Sequence, residues 1–425
     1  MDKNFPGYLP HIVIIVGAGP AGLLLATLLQ KRGIQTQVLE ASDTLDDQPR
    51  ACHYGGPGKR ELSRAGVLDK ISAEGFHPGG VSWRRKDGSS IVALDSSDVP
   101  ETSLHRMVCL PLGRVIRIIY DEAVSNGCEV LMQHKVTPSI GQTAEGAWVD
   151  VVDASSKVKR FHADYIVGCD GANSQIRRAL FGDFEFPGRT WDQQIIASNV
   201  YYPFEKLGYG DSNFIVDQNN WYMAAKITKD GLWRVTYGDV PGLTKEQYTE
   251  RLPMRFKEML PNAPEPSDIK IANVGPYRMH QRLAEKLRVG RFLLAADAAH
   301  LCNPFGGLGL VGGIADVGSL YDALVGIDQG LADESILDRY SDIRRQKYQE
   351  IIDPMSSSNF RRLWEKDPET TIAKDDFFKI LRKANEDEAM LSQLREASMS
   401  LTHDFTEFYD TKPAKAVLTG VQLMK

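Results

Sequence analysis

The residues best suited to chemistry near the amino terminus are three glycines and one carboxylate. Gly17-x-Gly19-x-x-Gly22 follows the β-branched run HIVIIV and opens a stretch of helical composition; Glu40 ends the next apolar run. Gly17 suits a tight turn, Gly19 lets backbone approach a pyrophosphate, and Ala21 and Gly22 let the helix start pack on the strand. The helix start adds unpaired N–H groups and a positive dipole end. Glu40 can accept hydrogen bonds from an adenosine ribose but would repel a 2′-phosphate, so this corner suits NAD or FAD rather than NADPH.

Two further corners share this design. Asp170-Gly171, in GCDGANSQIRR, follows the strand-like DYIVGC. Alone it is a turn signal. GRFLLAADAAHLCNPFGGLGLVGG (290–313) places Asp297 after an apolar run, then Pro304, Gly307, Gly309 and Leu310 where a helix begins. An acid at a strand's carboxyl edge can hold the hydroxyls of a polyol linker. A wall without side chains can turn backbone N–H groups toward a ring edge where negative charge gathers on reduction. The simpler alternative, glycines for close packing, accounts for one or two of them but not for the series beside an acid. His300 has no metal partners near it in sequence and suits a supporting or capping role.

The elements that must position these residues follow from pattern. Strand, helix and strand within the first forty residues predict a parallel sheet with a right-handed crossover. Residues 41–66 are polar and glycine-rich, as in a long connection. PLGRVIRIIYDEAVSNG predicts a helix over about 111–125, with strands at 128–135, 148–153 and 162–171. After Phe186 the chain alternates β-branched and aromatic residues between Asp/Gly turns, the signature of an antiparallel sheet. A helix is predicted over 244–260 and another over 310–326. The expected organisation is an α/β, Rossmann-like (glutathione-reductase-like) FAD domain in two parts, 1–186 and 281–330. An inserted, mainly antiparallel substrate domain spans 187–280, and a helical region spans 331–425.

Composition sets bounds. The 425 residues are 42% hydrophobic with a formal charge of −6, which gives no case for a nucleic-acid partner. Five scattered cysteines form no C-x-x-C pair or zinc-like spacing with the nine histidines, so reduced thiols, no metal and a cytoplasmic location are expected. The apolar run 12–29 lacks a basic flank and is broken by glycines in an ordered pattern. It predicts strand, turn and helix rather than a signal peptide or membrane span.

The trio GAGPAG, CDGANSQIRR and GRFLLAADAAHLCNPFGGLGLVGG resembles the single-component FAD-dependent aromatic hydroxylases, the group A flavoprotein monooxygenases typified by para-hydroxybenzoate hydroxylase. Pro49-Arg50-Ala51 is similar to the family's PRA stretch, which places Arg50 along the cofactor. The likeness covers about residues 11–330. It implies FAD, with NAD(P)H (NADPH favoured) as reductant and O2 as co-substrate, and hydroxylation of a phenolic ring through a flavin C4a-hydroperoxide. Epoxidation, Baeyer–Villiger insertion and simple oxidation or reduction are the alternatives on the same fold. Leu112 stands where the family usually has glutamine or arginine, leaving Arg114 as a nearby substitute, and Val311 stands where many relatives have asparagine. Both departures resemble a fungal branch. The resemblance places any catalytic base in the middle sheet or the loop after Arg50, with His53, Tyr54, Tyr222 and Arg234 as candidates and Tyr201 and Trp221 as aromatic walls. A small aromatic molecule is the expected partner, and the segment SQLREASMSLTHDFTEFYD fits either packing on the body or a homodimer contact.

Overall fold

The computed structural model describes residues 12–47 and 52–410. The first apolar run divides as its glycines require: Ile12–Val16 is a strand and Pro20–Lys31 a helix. Val13 to Val16 are buried, because a parallel strand in this class is covered on both faces. Pro20 occupies the start of the helix, where its missing N–H leaves no bond unmade.

Six strands form the first sheet, in the order Arg288–Val289, Phe292–Leu294, Tyr165–Gly168, Ile12–Val16, Gln35–Leu39 and Glu129–Leu131. All adjacent pairs are parallel except the Arg288–Val289 hairpin edge. A second sheet of eight strands carries Gly188–Tyr201, Ser212–Val216, Tyr222–Lys226, Leu232–Asp239 and Lys270–Leu283. It is mixed rather than purely antiparallel, since Ser212–Val216 runs parallel to Gly80–Arg85. Gly80–Arg85 and Ser90–Asp95, expected within the cofactor domain, instead complete this second sheet at one edge. Part of the expected connection 41–66 is also structured: His53–Tyr54 is a short strand and Gly56–Arg64 a helix, with Pro57 in its first turn.

The faces of the second sheet divide by residue parity, as period-two alternation demands. Tyr222, Trp233 and Tyr237 join Tyr248 and Phe256 of the helix Lys245–Met259 in one core. On the opposite face Trp221 packs against Phe305 and Phe360, with ring centroids 5.7 and 5.4 Å away. The carboxyl-terminal helices pack on the body: Asn385 donates to the Ala93 carbonyl at 2.8 Å, and Arg395 pairs with Asp98 at 3.1 Å.

The helix Leu308–Asp328 is long and apolar enough to cross a membrane, yet 89% of its most apolar window is buried inside the molecule. It is a core helix, packed against Pro20–Lys31 and Gly56–Arg64. Fully buried Val317 and Leu320 each contribute about 1.5–3 kcal/mol through burial. One of its two buried acids, Asp316, is held from three sides. His300 Nε2 lies 2.7 Å from Oδ2, Arg344 Nε donates to Oδ1 at 2.7 Å, and the Ala296 N–H donates at 2.9 Å. Burial opposes the charge, but His300 and Arg344 outweigh it and hold the carboxyl at about 2.

Arg344→Met leaves that carboxylate short of its arginine partner, and a loss of about 3–5 kcal/mol in urea unfolding is expected; a loss under about 1 kcal/mol would contradict the assignment. The sign of the pH effect follows from a depressed carboxyl. The contribution of Asp316 is complete above its unfolded value of about 3.9. It is lost as pH falls through about 2, so the stability gap between wild type and Asp316→Asn should close over that range.

Candidate active site

The three corners follow three neighbouring strands. Val16 pairs with Gly168, and Gly168 with Leu294, so the strands end side by side in register. The chain leaving each strand end therefore faces one volume outside the carboxyl edge of the sheet, where ligands of open α/β sheets bind.

At the first corner the glycines have distinct duties. Gly17 has φ +107°, and a Cβ there would meet the Cys169 carbonyl oxygen at 2.5 Å. A Cβ on Gly22 would lie 2.0 Å from the Gly17 oxygen, whereas one on Gly19 would meet nothing within 4 Å. Gly17 and Gly22 thus serve packing, and Gly19 borders open space of the kind a pyrophosphate needs. Ala21 is buried beneath it. Glu40 is oriented by the N–H groups of Ala18, at 2.7 Å, and Ser42, at 2.8 Å.

Asp170 caps the helix Gln175–Phe181, accepting from the Gln175 N–H at 2.6 Å and the Ile176 N–H at 3.2 Å. Burial raises its pKa. Arg177 then bridges corners, donating to the Ala172 carbonyl at 2.9 Å and the Ala298 carbonyl at 3.1 Å.

At the third corner Ala296 has φ +56°, in the left-handed region, and it packs where Gly313 lacks a Cβ, which would lie 2.6 Å from the Ala296 Cβ. This bend presents Asp297 at the surface, past the end of Phe292–Leu294. Gly307, at φ +67°, starts the core helix, and a Cβ there also meets nothing within 4 Å. Pro304, Gly309 and Leu310 are partly buried around it. Open backbone at Gly19 and Gly307, flanking an exposed acid, suits a long dinucleotide: pyrophosphate at the first, ring at the last, polyol between.

Other expected residues distribute unevenly. Arg50 lies outside the described residues. Arg114 is turned to Glu74, with its two bonds at 2.5 and 2.7 Å, at an exposed helix corner. Tyr222 belongs to the core under Lys245–Met259, its hydroxyl 3.1 Å from that of Tyr209, on the sheet face opposite Arg234. Tyr201 bonds Asp230 at 3.0 Å, and Trp221 packs beside Phe305 next to the Pro304 turn.

His53, Tyr54 and Arg234 do come together, with two residues the motifs did not single out, Cys52 and Cys109. Cys52 Sγ is 3.1 Å from His53 Nδ1, and Arg234 donates to Asn199 at 3.1 Å. A hydrogen bond from Cys109, then His53 and Arg234, pull the Cys52 thiol well below its usual range against burial. Burial disfavours a charged His53, but Cys52 outweighs it and raises its pKa; burial lowers that of Arg234 and raises that of Tyr54. The Tyr54 hydroxyl is buried without a hydrogen-bond partner among the described residues. Only the adjacency of Cys52 and His53 hinted at the cluster, since Cys109 is remote in sequence.

A family model described as an FAD-binding domain matches residues 11–354. The chain belongs to this family. It is an FAD-dependent monooxygenase of the aromatic-hydroxylase class, similar over nearly its full length to bacterial enzymes. A para-nitrophenol 4-monooxygenase from a Pseudomonas species is 36% identical over 90% of this chain and 93% of that one. A 6-hydroxy-3-succinoylpyridine 3-monooxygenase from Pseudomonas putida is 35% identical over 91% and 96%. The crystal structure of p-nitrophenol 4-monooxygenase from Pseudomonas putida superposes with a TM-score of 0.84, at 32% identity, over 92% of this chain and 98% of that one.

These relatives, and further hydroxylases from Comamonas, Mycolicibacterium, Klebsiella and Burkholderia, are bacterial, which overturns the expected fungal branch. The two departures behind that expectation are packing positions. Leu112 is buried in the main core, and Val311 packs with Tyr348, Ile352 and Leu401. Apolar filling at two sites carries no lineage.

The glycine geometry separates binding from folding. Gly19→Ala should leave unfolding free energy within about 0.5 kcal/mol and weaken FAD binding at least about 10-fold, one such factor being about 1.4 kcal/mol. Gly22→Ala should destabilise by about 1–3 kcal/mol. Flavin fluorescence titration with urea unfolding checks both, and equal effects from the two variants would contradict the division of duties.

Proposed function

We propose that the chain hydroxylates a small, electron-rich hydroxyarene, a phenol or hydroxypyridine, using NAD(P)H, NADPH favoured, and O2. The names of its relatives point to that ring class. FAD, when bound at the three corners, supplies electron transfer and activation of O2. The protein's own part is to seat the ring, keep water away and manage one phenolic proton.

The observation that carries this assignment is the meeting of His53 with Arg234, two half-buried groups from different parts of the chain, each within electrostatic reach of Cys52. A guanidinium partly withdrawn from water favours an anion beside it, and a phenolate oxygen is such an anion. His53 Nε2 is buried without a hydrogen-bond partner among the described residues; in the neutral ring, with its proton on the Nδ1 turned to Cys52 Sγ, Nε2 is the atom that accepts the phenol's proton. Trp221 and Phe305 extend an aromatic wall from this sheet face to the Pro304 turn. The helix Gly56–Arg64, which follows His53 and Tyr54, meets the core helix at Ile314, 3.8 Å from where a Cβ on Gly58 would lie. Ile314 is about 10 Å along that helix from Gly307. All five cysteines are free and buried, which suits a reducing cytoplasm.

A panel of phenols and hydroxypyridines should stimulate NADPH oxidation and give products heavier by one oxygen atom. His53→Gln should lower turnover about 100-fold on weakly acidic phenols and much less on phenols already ionised at the assay pH. Arg234→Met should chiefly raise KM, by about 10-fold or more. Stimulated NADPH oxidation with no oxygen in the product, or a His53→Gln loss independent of phenol acidity, would count against the assignment.

A further inference from the structure

Cys52, His53 and Cys109 are joined by a ladder that their sequence separation hides. His53 pairs with Cys109 across the antiparallel strands His53–Tyr54 and Val108–Cys109, and the Leu110 N–H donates to the Cys52 carbonyl at 2.9 Å. The backbone of all three is thereby fixed. One ligand atom from each, two sulfurs and a ring nitrogen, lie within 4.8 Å of one another. Cys52 and Cys109 form a small apolar cluster with Ile227, packed on by Phe76 and Leu232.

We propose that Cys52, His53 and Cys109 form a binding site for one thiophilic divalent ion of the zinc class. Two thiolates and an imidazole are a ligand set such ions prefer, with a fourth position left open. Tetrahedral bonds of about 2.3 Å to sulfur and 2.1 Å to nitrogen put ligand atoms about 3.6–3.8 Å apart. The observed spread closes by side-chain rotation of roughly 1 Å on that fixed backbone.

Charge balances as well. Two thiolates neutralise a divalent ion, and a neutral complex is the form an apolar cluster tolerates. Asp211 and Arg234 face the cluster with opposite signs, and Lys226 lies beside Cys109. Binding forms two metal–sulfur bonds and one metal–nitrogen bond and releases two protons from the three ligand groups to solvent, with no change of oxidation state. Affinity therefore rises with pH. An ion held here takes the imidazole from its proposed duty toward the phenol and should silence turnover. That consequence rests on the function proposed above; the binding does not.

Zinc titration of the FAD-loaded enzyme by calorimetry, with X-ray absorption at the zinc edge, tests the site. One ion per chain is expected, with two sulfur ligands at about 2.3 Å and tighter binding at higher pH. Cys52→Ala and Cys109→Ser should each weaken it about 100-fold, flavin absorbance certifying each fold, while Cys128→Ser leaves it unchanged. Zinc bound as described with turnover unimpaired supports the site and counts against His53 as proton acceptor. No stoichiometric ion, a ligand set of nitrogen and oxygen alone, or binding indifferent to both cysteine variants overturns the proposal.

Discussion

Three parallel strands that stop at the same level govern this molecule. The ladder pairing Val16 with Gly168 and Gly168 with Leu294 decides that a glycine turn, an aspartate cap and an exposed aspartate open onto one space. A slip of one residue would turn every side chain of a strand to the other face. Buried β-branched residues on both faces resist that slip. Gly168 is part of the constraint: a Cβ there would lie 2.9 Å from both the Ile176 Cβ and a Leu294 methyl. Only a bare residue lets the second corner's helix and the third strand close in together.

The corners are also tied to one another above the sheet. Gly17 abuts Cys169, Arg177 reaches the Ala298 carbonyl, and Asp316 holds the Ala296 N–H from the core helix. Ala296 sits in a backbone region unfavourable to it by about 1–3 kcal/mol. The buried His300–Asp316–Arg344 set over-determines that bend, and Asp297 is presented as a result. The strain lies at the bend that carries Asp297. The second sheet brings its Trp221 face against Phe305 beside the third corner, so the two halves of the molecule meet there.

Much of this was legible in the sequence because it is local. Glycines with positive φ, an acid after an apolar run and a helix start are fixed by neighbours within a few residues. The helices predicted at 111–125 and 244–260 are found at Leu112–Ser125 and Lys245–Met259. What pattern could not reach depends on pairing between distant segments. Gly80–Arg85 joins the second sheet because Ser212–Val216 offers it an edge. Tyr222 faces the core under Lys245–Met259 because of its parity on the strand that begins just after Trp221. Arg114 was drawn to the cofactor by proximity in sequence, but Glu74 on a neighbouring helix takes its charge. Cys109 meets Cys52 and His53 only because two short strands align. Arg50, expected along the cofactor, falls outside the described residues.

A crystal structure of the FAD complex tests the shared edge most directly. The account predicts pyrophosphate against Gly19 and the adjoining helix start, ribose beside Glu40, ribityl hydroxyls on Asp297 and the ring against the Gly307 turn. A flavin bound with Glu40 and Asp297 contacting no part of it would contradict the account.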